Sequence, residues 1–256
     1  MDAMAVFQRL MVRSAECFPL VPFAAAWIRR RHIPYRFLPV YYFVATLTGM
    51  WCLSTFGRYA LHNNIFVFHL TTAAEVPLLG LAYYRLVPLP KVRVGIVIGV
   101  VLFGIVALLD ATVLNGWMKH QNVYARSAAT LVLLSLAFVH LDYLSSQPAE
   151  QLSNSRPALL LSIAVLVLYS ALAAIHLAVY IEYKNPAFSY EEHARLDNLF
   201  NLPFPFIYGI SMGLLTRLFA YFPLNKPPRQ ALPKWLRFGR FRPKAPITAE
   251  VAAAQA

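Results

Sequence analysis

Long runs without Asp, Glu, Lys or Arg determine what this chain can fold into. The longest uninterrupted run extends from Pro157 to Ile181. About 20 mostly apolar residues are enough for a helix to cross the hydrocarbon core of a bilayer. Five further runs approach or reach this length: Phe37 to Gly57; Asn64 to Tyr84, interrupted by Glu75; Val94 to Leu109, extending to about Trp117; Ser127 to Leu141, extending to Ser145; and Asn198 to Thr216, extending to Phe222. The sequence therefore predicts six membrane-spanning helices.

The composition supports lipid as the solvent for most of the chain. Hydrophobic residues make up 59% of the 256 residues and charged residues 13%, whereas a soluble domain has about 25% charged residues. So few charges cannot cover a water-facing globule of this size, which excludes a soluble enzyme, a disordered regulator and a secreted disulfide scaffold. Cys17 and Cys52 fit no metal-ligand spacing, and we expect them to be small buried hydrophobic residues.

A seventh candidate span lies near the start of the chain, from Cys17 to Ile28. A signal peptide is disfavoured, because Arg29, Arg30 and Arg31 follow the apolar run on the wrong side for cleavage. The segment could instead be an interfacial helix. It could also be a first span in which Arg13 and Glu16, spaced i,i+3, form a pair.

The distribution of basic residues predicts the orientation. The chain has 23 Lys and Arg against 11 Asp and Glu, a formal charge of +12. Basic residues are concentrated in alternate connections and in the carboxyl-terminal tail, as the positive-inside rule requires. This excess indicates a cytoplasmic surface facing anionic membrane lipids rather than a nucleic-acid partner.

We therefore predict an all-α polytopic transmembrane bundle of seven spans, with the amino terminus outside and the carboxyl terminus cytoplasmic. A six-span version with both termini inside keeps the same loops. Residues 1–222 would form the bundle and residues 223–256 a basic, partly disordered tail. The expected location is a bacterial inner membrane.

Polar side chains inside the predicted spans are candidates for function, because ionisable groups in lipid are costly. On a helix, Asn64, Thr71 and Glu75 fall within about 40° of one another. Pro77 follows this stripe. Glu75 is interpreted either as a carboxylate that lines a ligand pocket or proton path, or as a hydrogen-bonded residue that holds helices together.

Two later spans carry similar stripes. Tyr169, His176 and Tyr180 fall within about 40° on the sixth span. Asn198, Asn201 and Tyr208 spread over about 80° on the seventh, around two prolines. Together with the Glu75 stripe, these residues predict a polar ligand-binding pocket that opens outward. Ordinary interhelical hydrogen bonding is the alternative interpretation, and the pattern identifies no ligand or cofactor.

The other ionisable residues have structural interpretations. Asp110 ends the fourth span and Arg126 begins the fifth, so they could pair. Asp142 could pair with Arg156 or Arg85 at the opposite face. His69 lies about 140° around the helix from Asn64, and we expect it to be a packed or hydrogen-bonded residue rather than a ligand.

Motifs that would identify a reaction are missing from the sequence. The seven histidines occur singly, so no zinc site is predicted. The chain also lacks a P-loop, a GxSxG motif and a dinucleotide fingerprint. No catalytic or metal-binding residue is therefore predicted.

The carboxyl-terminal tail interleaves aromatic rings with cations. Such a segment can lie on an anionic bilayer, with its rings in the interface and its charges at the headgroups. It could instead bind a cytoplasmic protein partner. The residues expected to contact the membrane surface are Lys234, Trp235, Arg237, Phe238, Arg240 and Arg242.

Three stretches carry a resemblance to a protein family: RFLPVYYFVATLTGMW (36–51), NNIFVFHLTTAAEVPLLGLAYY (63–84) and NLFNLPFPFIYGISMGLL (198–215). From Arg36 through Arg217 the chain resembles uncharacterised bacterial seven-helix integral membrane proteins whose helix layout matches sensor modules. Sensors of that layout commonly attach an output domain, and the tail after Phe222 is too short for one. The resemblance therefore implies a separately encoded partner or a purely structural subunit.

Three functional hypotheses remain from the sequence. The first is a non-enzymatic membrane protein that senses a ligand or serves as a subunit of a complex. The second is an intramembrane lipid-modifying enzyme in which Glu75 and His176 act as acid and base. The third is a transporter of a small solute or proton through Glu75.

Overall fold

The computed structural model describes residues 11, 13–148, 155–183, 196, 199–200 and 202–224, with the side chains of residues 176 and 178–183 excepted. The tail residues predicted to contact the membrane, 234–242, lie outside the described residues. Every regular element in the described part of the chain is helical. Seven α-helices occur there: α1 (Leu20–Arg29), α2 (Leu38–Ala60), α3 (Ile65–Leu86), α4 (Pro90–Leu109), α5 (Val123–Ser145), α6 (Arg156–Tyr183) and α7 (Phe204–Ala220).

Five of these helices, α2 to α6, are long and apolar enough to cross a membrane. The apolar helix α7 is shorter, with 17 residues, which corresponds to about 25 Å. The predicted all-α, multi-pass membrane architecture is thus confirmed in its coarse form, with five to six apolar helices. Helix α1 contains only 10 residues, or about 15 Å of helix.

Proline residues help to define where several helices begin. Pro39, Pro90 and Pro205 occupy the first turns of α2, α4 and α7, where the missing N–H of proline breaks no intrahelical hydrogen bond. Helix α4 ends in a single π-helical turn, Asp110–Leu114. Gly116 follows with a φ of 69°, a left-handed conformation that glycine adopts without steric cost.

The helices pack in a closed ring. Helix α1 contacts α2, α2 contacts α3, α3 contacts α5, α5 contacts α6, and α6 contacts α7, which returns to α1. Helix α4 packs against α3 and α5. Only 11% of its apolar window is buried, compared with 39% to 44% in the other four long helices. Helix α4 therefore lies at the periphery of the bundle.

Successive helices run in opposite directions between two ends of the bundle. We call the end formed by connections 61–64 and 115–122 the Trp117 end, and the end formed by connections 30–37 and 87–89 the arginine-rich end. The Arg29 side chain, at the end of α1, donates to the Phe222 carbonyl beyond α7. Tyr83, near the end of α3, contacts His140 of α5 and Ser162 of α6. These contacts place the ends of α1, α3, α5 and α7 together at the arginine-rich end.

The predictions for the partner of Glu16 and for the burial of the two cysteines are wrong. Glu16 forms its ion pair with Arg58 of α2, at 2.8 Å, rather than with Arg13. This pair is possible because the end of α2 lies beside the segment that precedes α1. Cys52 is exposed on the outer surface of α2 and Cys17 is partly buried, and both are free thiols; neither is the fully buried residue expected.

Candidate functional site

Glu75 lies near the middle of α3 and its carboxylate is buried in the bundle. Its residue surface is 5% exposed. The same face of α3 places Thr72 one turn earlier, and that residue is also buried. Helix α3 contacts α2, α4 and α5, so a polar group on this face must find its partners inside the protein.

The main partner of Glu75 is Arg126, in the first turn of α5. The Arg126 Nη1 atom lies 2.9 Å from Glu75 Oε2 and 3.3 Å from Thr72 Oγ1. A charge-assisted hydrogen bond of this kind is about twice as strong as one between neutral groups. The pair compensates two charges that would each be costly to bury alone.

Tyr169 completes the coordination of the Glu75 carboxylate from α6. Its hydroxyl donates to the same oxygen, Oε2, at 2.8 Å, and its side chain is fully buried. The carboxylate therefore connects α3, α5 and α6 through one oxygen atom. We call Glu75, Arg126 and Tyr169 the Glu75 site.

Asn122 extends this site towards the Trp117 end. Its Nδ2 group donates to Thr72 Oγ1 at 2.7 Å and to the Phe68 carbonyl at 3.0 Å. Asn122 thus fixes the start of α5 against α3. Sequence reasoning missed Thr72 because it lies outside the predicted stripe, and it missed Asn122 because that residue precedes the predicted fifth span.

The predicted pair between Asp110 and Arg126 is wrong. The fully buried Asp110 carboxylate accepts a hydrogen bond from the Ala125 backbone N–H at 2.8 Å. It accepts another from the Asn115 side-chain amide. A carboxylate at a helix amino terminus compensates unpaired backbone N–H groups and the helix dipole. Because the Ala125 N–H and the Asn115 side-chain amide satisfy the Asp110 carboxylate, Arg126 is available to Glu75.

The structure brings together only part of the predicted polar stripe. Asn64 donates to Ser54 of α2 at 3.1 Å. Thr71 donates to the Val67 carbonyl within its own helix. Neither side chain joins Glu75 and Tyr169. The side chains of the other candidates lie outside the described residues: His176, Tyr180, Asn198 and Asn201.

The Glu75 site is more accessible at Arg126 than at Glu75. The side chain of Arg126 is 21% exposed and that of Glu75 is 6% exposed. A pocket beside Tyr169, with Leu168, Ser211 and other mainly apolar side chains in its wall, has an internal volume of about 10 Å³. That is the space that a single water molecule needs.

A second polar cluster lies closer to the arginine-rich end. His140 Nδ1 and Ser162 Oγ are 2.7 Å apart, and Ser162 Oγ lies 3.5 Å from the Tyr83 hydroxyl. All three residues are at most 1% exposed. Because this cluster is enclosed, its hydrogen bonds hold α3, α5 and α6 together.

The structure also tests the structural roles predicted for His69 and Asp142. His69 Nε2 lies 3.1 Å from the His120 carbonyl, and its ring stacks on Trp117. This confirms His69 as a packed, hydrogen-bonded residue. Arg85 donates to the Tyr35 carbonyl, and no ion pair of Asp142 occurs among the described residues. The proposed pairing of Asp142 with Arg85 or Arg156 is therefore absent from that part of the chain.

In the described residues, no group of three His, Cys, Asp or Glu side chains could hold a metal ion. No family model, curated protein or solved structure matches the chain. The geometry of the Glu75 site is therefore the basis for inferring function.

Proposed function

We propose that this protein is a non-enzymatic membrane sensor in which a small anionic ligand binds at the Glu75 site. The observation that carries this proposal is the buried ion pair between Glu75 and Arg126, at 2.9 Å. Replacing a buried ion pair by apolar residues of similar size is often neutral or stabilising. Stability alone therefore gives little reason for such a pair in a bundle surrounded by lipid, and a switching role is a better reason.

The geometry of Arg126 indicates the class of ligand. Its Nη1 group donates to Glu75 and Thr72. Within the described residues, its Nε and Nη2 groups make no recorded hydrogen bond. A guanidinium presents five donors in a planar fork that fits a carboxylate or a phosphate. The ligand chemistry that suits this partly exposed cation is thus a small carboxylate or phosphate anion.

Binding at Arg126 would be coupled to the packing of three helices. An anion that takes the Arg126 guanidinium leaves the Glu75 carboxylate with only the Tyr169 hydroxyl among its present partners. An unpaired buried carboxylate is costly. Helices α3, α5 and α6 must then move, or water must enter, and either change transmits the binding event.

We further propose seven spans, with the Trp117 end outside and the arginine-rich end cytoplasmic. The concentration of basic residues at the arginine-rich end supports this orientation. Arg126 lies nearer the Trp117 end, so the ligand would arrive from outside. The resemblance to seven-helix sensor modules agrees with this arrangement, and a separately encoded partner would carry the output.

The catalytic alternative has weaker geometric support. Glu75 Oε2 already accepts hydrogen bonds from Arg126 and Tyr169. Catalysis would need Glu75 Oε1 and the His176 side chain within reach of one substrate, and the His176 side chain lies outside the described residues. The transport alternative requires a continuous path, and the pocket beside Tyr169 has room for about one water molecule.

Ligand-dependent thermal unfolding tests the sensor proposal. The purified protein is heated in detergent with sodium succinate, acetate or phosphate at equal ionic strength. We expect at least one of these anions to raise the midpoint for the wild type and for Arg58→Gln, but not for Arg126→Gln. Arg58 is the matched control, because it forms the other ion pair found among the described residues, with Glu16. Equal shifts of the unfolding midpoint in Arg58→Gln and Arg126→Gln, or no shift in the wild type, would count against the proposal.

Cysteine labelling tests the orientation. Two single-thiol variants are made in a background with Cys17→Ala and Cys52→Ala. Lys119→Cys places its thiol at the Trp117 end, and Arg31→Cys places its thiol at the arginine-rich end. A membrane-impermeant maleimide applied to intact cells should label the Lys119 position and leave the Arg31 position unlabelled until the cells are permeabilised. The reverse pattern contradicts the proposed orientation.

A further inference from the structure

Two arginines at the turn between α3 and α4 are held against aromatic rings. The Arg85 guanidinium lies 3.9 Å from the centre of the Tyr35 ring, and its Nη1 group donates to the Tyr35 carbonyl. The Arg93 guanidinium lies 5.2 Å from the centre of the Tyr84 ring, and its Nε group donates to the Val87 carbonyl. Rings and carbonyls thus position both cations without neutralising them.

No carboxylate compensates these charges in the described part of the chain. The ion pairs recorded there are Glu16–Arg58 and Glu75–Arg126, neither of which involves Arg85 or Arg93. Lys91, in the first turn of α4, adds an exposed cation beside them. Each guanidinium keeps further N–H donors for an external acceptor. This turn therefore favours an anion with several acceptor oxygens.

The surface that continues from this turn is apolar. Helix α4 is the least buried of the five long helices, and Val94, Ile98 and Leu102 are each more than half exposed. At Gly95 an added Cβ would meet no atom within 4 Å. The cationic turn and the apolar face of α4 thus lie end to end, as the two parts of a phospholipid do.

We propose that this turn binds the headgroup of an anionic phospholipid, with Arg85 and Arg93 contacting its phosphate and α4 contacting its acyl chains. The charges favour a lipid of net negative charge, because the ammonium group of a zwitterionic headgroup is repelled by three neighbouring cations. This proposal does not depend on the Glu75 site.

Native mass spectrometry tests the proposal. Delipidated full-length protein in a nonionic detergent is mixed with equal amounts of phosphatidylglycerol and phosphatidylcholine with identical acyl chains. The wild type should retain phosphatidylglycerol about tenfold more than phosphatidylcholine. Arg85→Gln with Arg93→Gln should reduce this preference at least several-fold, whereas Lys119→Gln, a control at the Trp117 end, should preserve it.

Other results would overturn the proposal. Equal retention of the two lipids by the wild type excludes a headgroup site for anions, and this result does not require that any variant folds. Displacement of phosphatidylglycerol by millimolar inorganic phosphate indicates a free-phosphate site instead. A mass of two chains without lipid shows that a second copy covers α4. Unchanged preference in the double variant assigns the site to other residues.

Discussion

Arg126 Nη1 lies 2.9 Å from Glu75 Oε2, although Arg126 occupies the first turn of α5 and Glu75 the middle of α3. The long arginine side chain extends inward from a partly exposed position to reach the buried carboxylate. The Arg126 side of the pair is therefore partly exposed, and the Glu75 side is buried. This asymmetry distinguishes the Glu75 site from the fully enclosed His140–Ser162 cluster.

Removing one charge from the pair should destabilise the bundle. Glu75→Gln leaves the Arg126 guanidinium without a counter-ion, and Arg126→Gln does the same to the carboxylate. We expect each to lower the free energy of unfolding by about 3 kcal/mol. Glu75→Leu with Arg126→Leu should cost less than either single change, because it leaves no unpaired charge. The free energy of unfolding of each variant is measured in mixed micelles, and a double variant that loses more than either single variant would contradict direct pairing.

The hydroxyl of Tyr169 contributes to the same oxygen of Glu75. Tyr169→Phe removes one hydrogen bond to a charged acceptor while preserving the ring, so the free energy of unfolding should fall by about 2 kcal/mol. Tyr84→Phe is the control, since Tyr84 is partly exposed and offers its ring, not its hydroxyl, to Arg93. Chemical denaturation of the two variants provides the comparison. Similar losses in both would show that the Tyr169 hydroxyl is not bound to Glu75.

The His140–Ser162 hydrogen bond should be structural. Ser162→Ala leaves a buried imidazole nitrogen without its partner, and we expect a loss of about 1 kcal/mol. Ser135→Ala is a matched change on α5, because the exposed Ser135 hydroxyl donates to a carbonyl of its own helix. The Ser135 variant should unfold within about 0.5 kcal/mol of the wild type. Thermal unfolding that ranks the two in the opposite order would disprove this assignment.

Asp110 should stabilise the start of α5. Asp110→Ala removes the acceptor for the Ala125 N–H, and the loss should be about 2 kcal/mol, the upper range for a helix cap. Asp142→Ala, at an exposed position, should have little effect. Hydrogen exchange would show faster exchange in the first turn of α5 for the Asp110 variant alone. Unaltered exchange there would mean that the carboxylate is dispensable for the helix start.

The membrane-spanning architecture was predictable from the sequence, because long uncharged runs have few alternatives to helices in lipid. Glu75 was also predictable as a site residue, since an ionisable group in a span is conspicuous. Its partner was not. Asp110 ends one predicted span and Arg126 begins the next. This proximity along the chain favoured a pair between Asp110 and Arg126, which is wrong.

Side-chain direction explains the remaining differences. Helical spacing places Asn64 and Thr71 on the Glu75 stripe, but each finds a nearer partner in Ser54 or the α3 backbone. Thr72 faces the site instead, one residue around the helix. Thr72 lies about 100° around the helix from Thr71, outside the predicted stripe of about 40°. The packing of neighbouring helices, which the stripe does not show, determines which arc of α3 is buried.

Calorimetric titration of succinate and phosphate into the purified protein distinguishes an anion sensor from a purely structural ion pair. The comparison is between the wild type and Glu75→Leu with Arg126→Leu, a variant expected to remain folded because it leaves no buried charge. If the Glu75 site binds a small anion, at least one of these anions binds saturably to the wild type and none binds to the double variant. Absence of binding to the wild type, or equal affinity for both proteins, would contradict the sensor proposal.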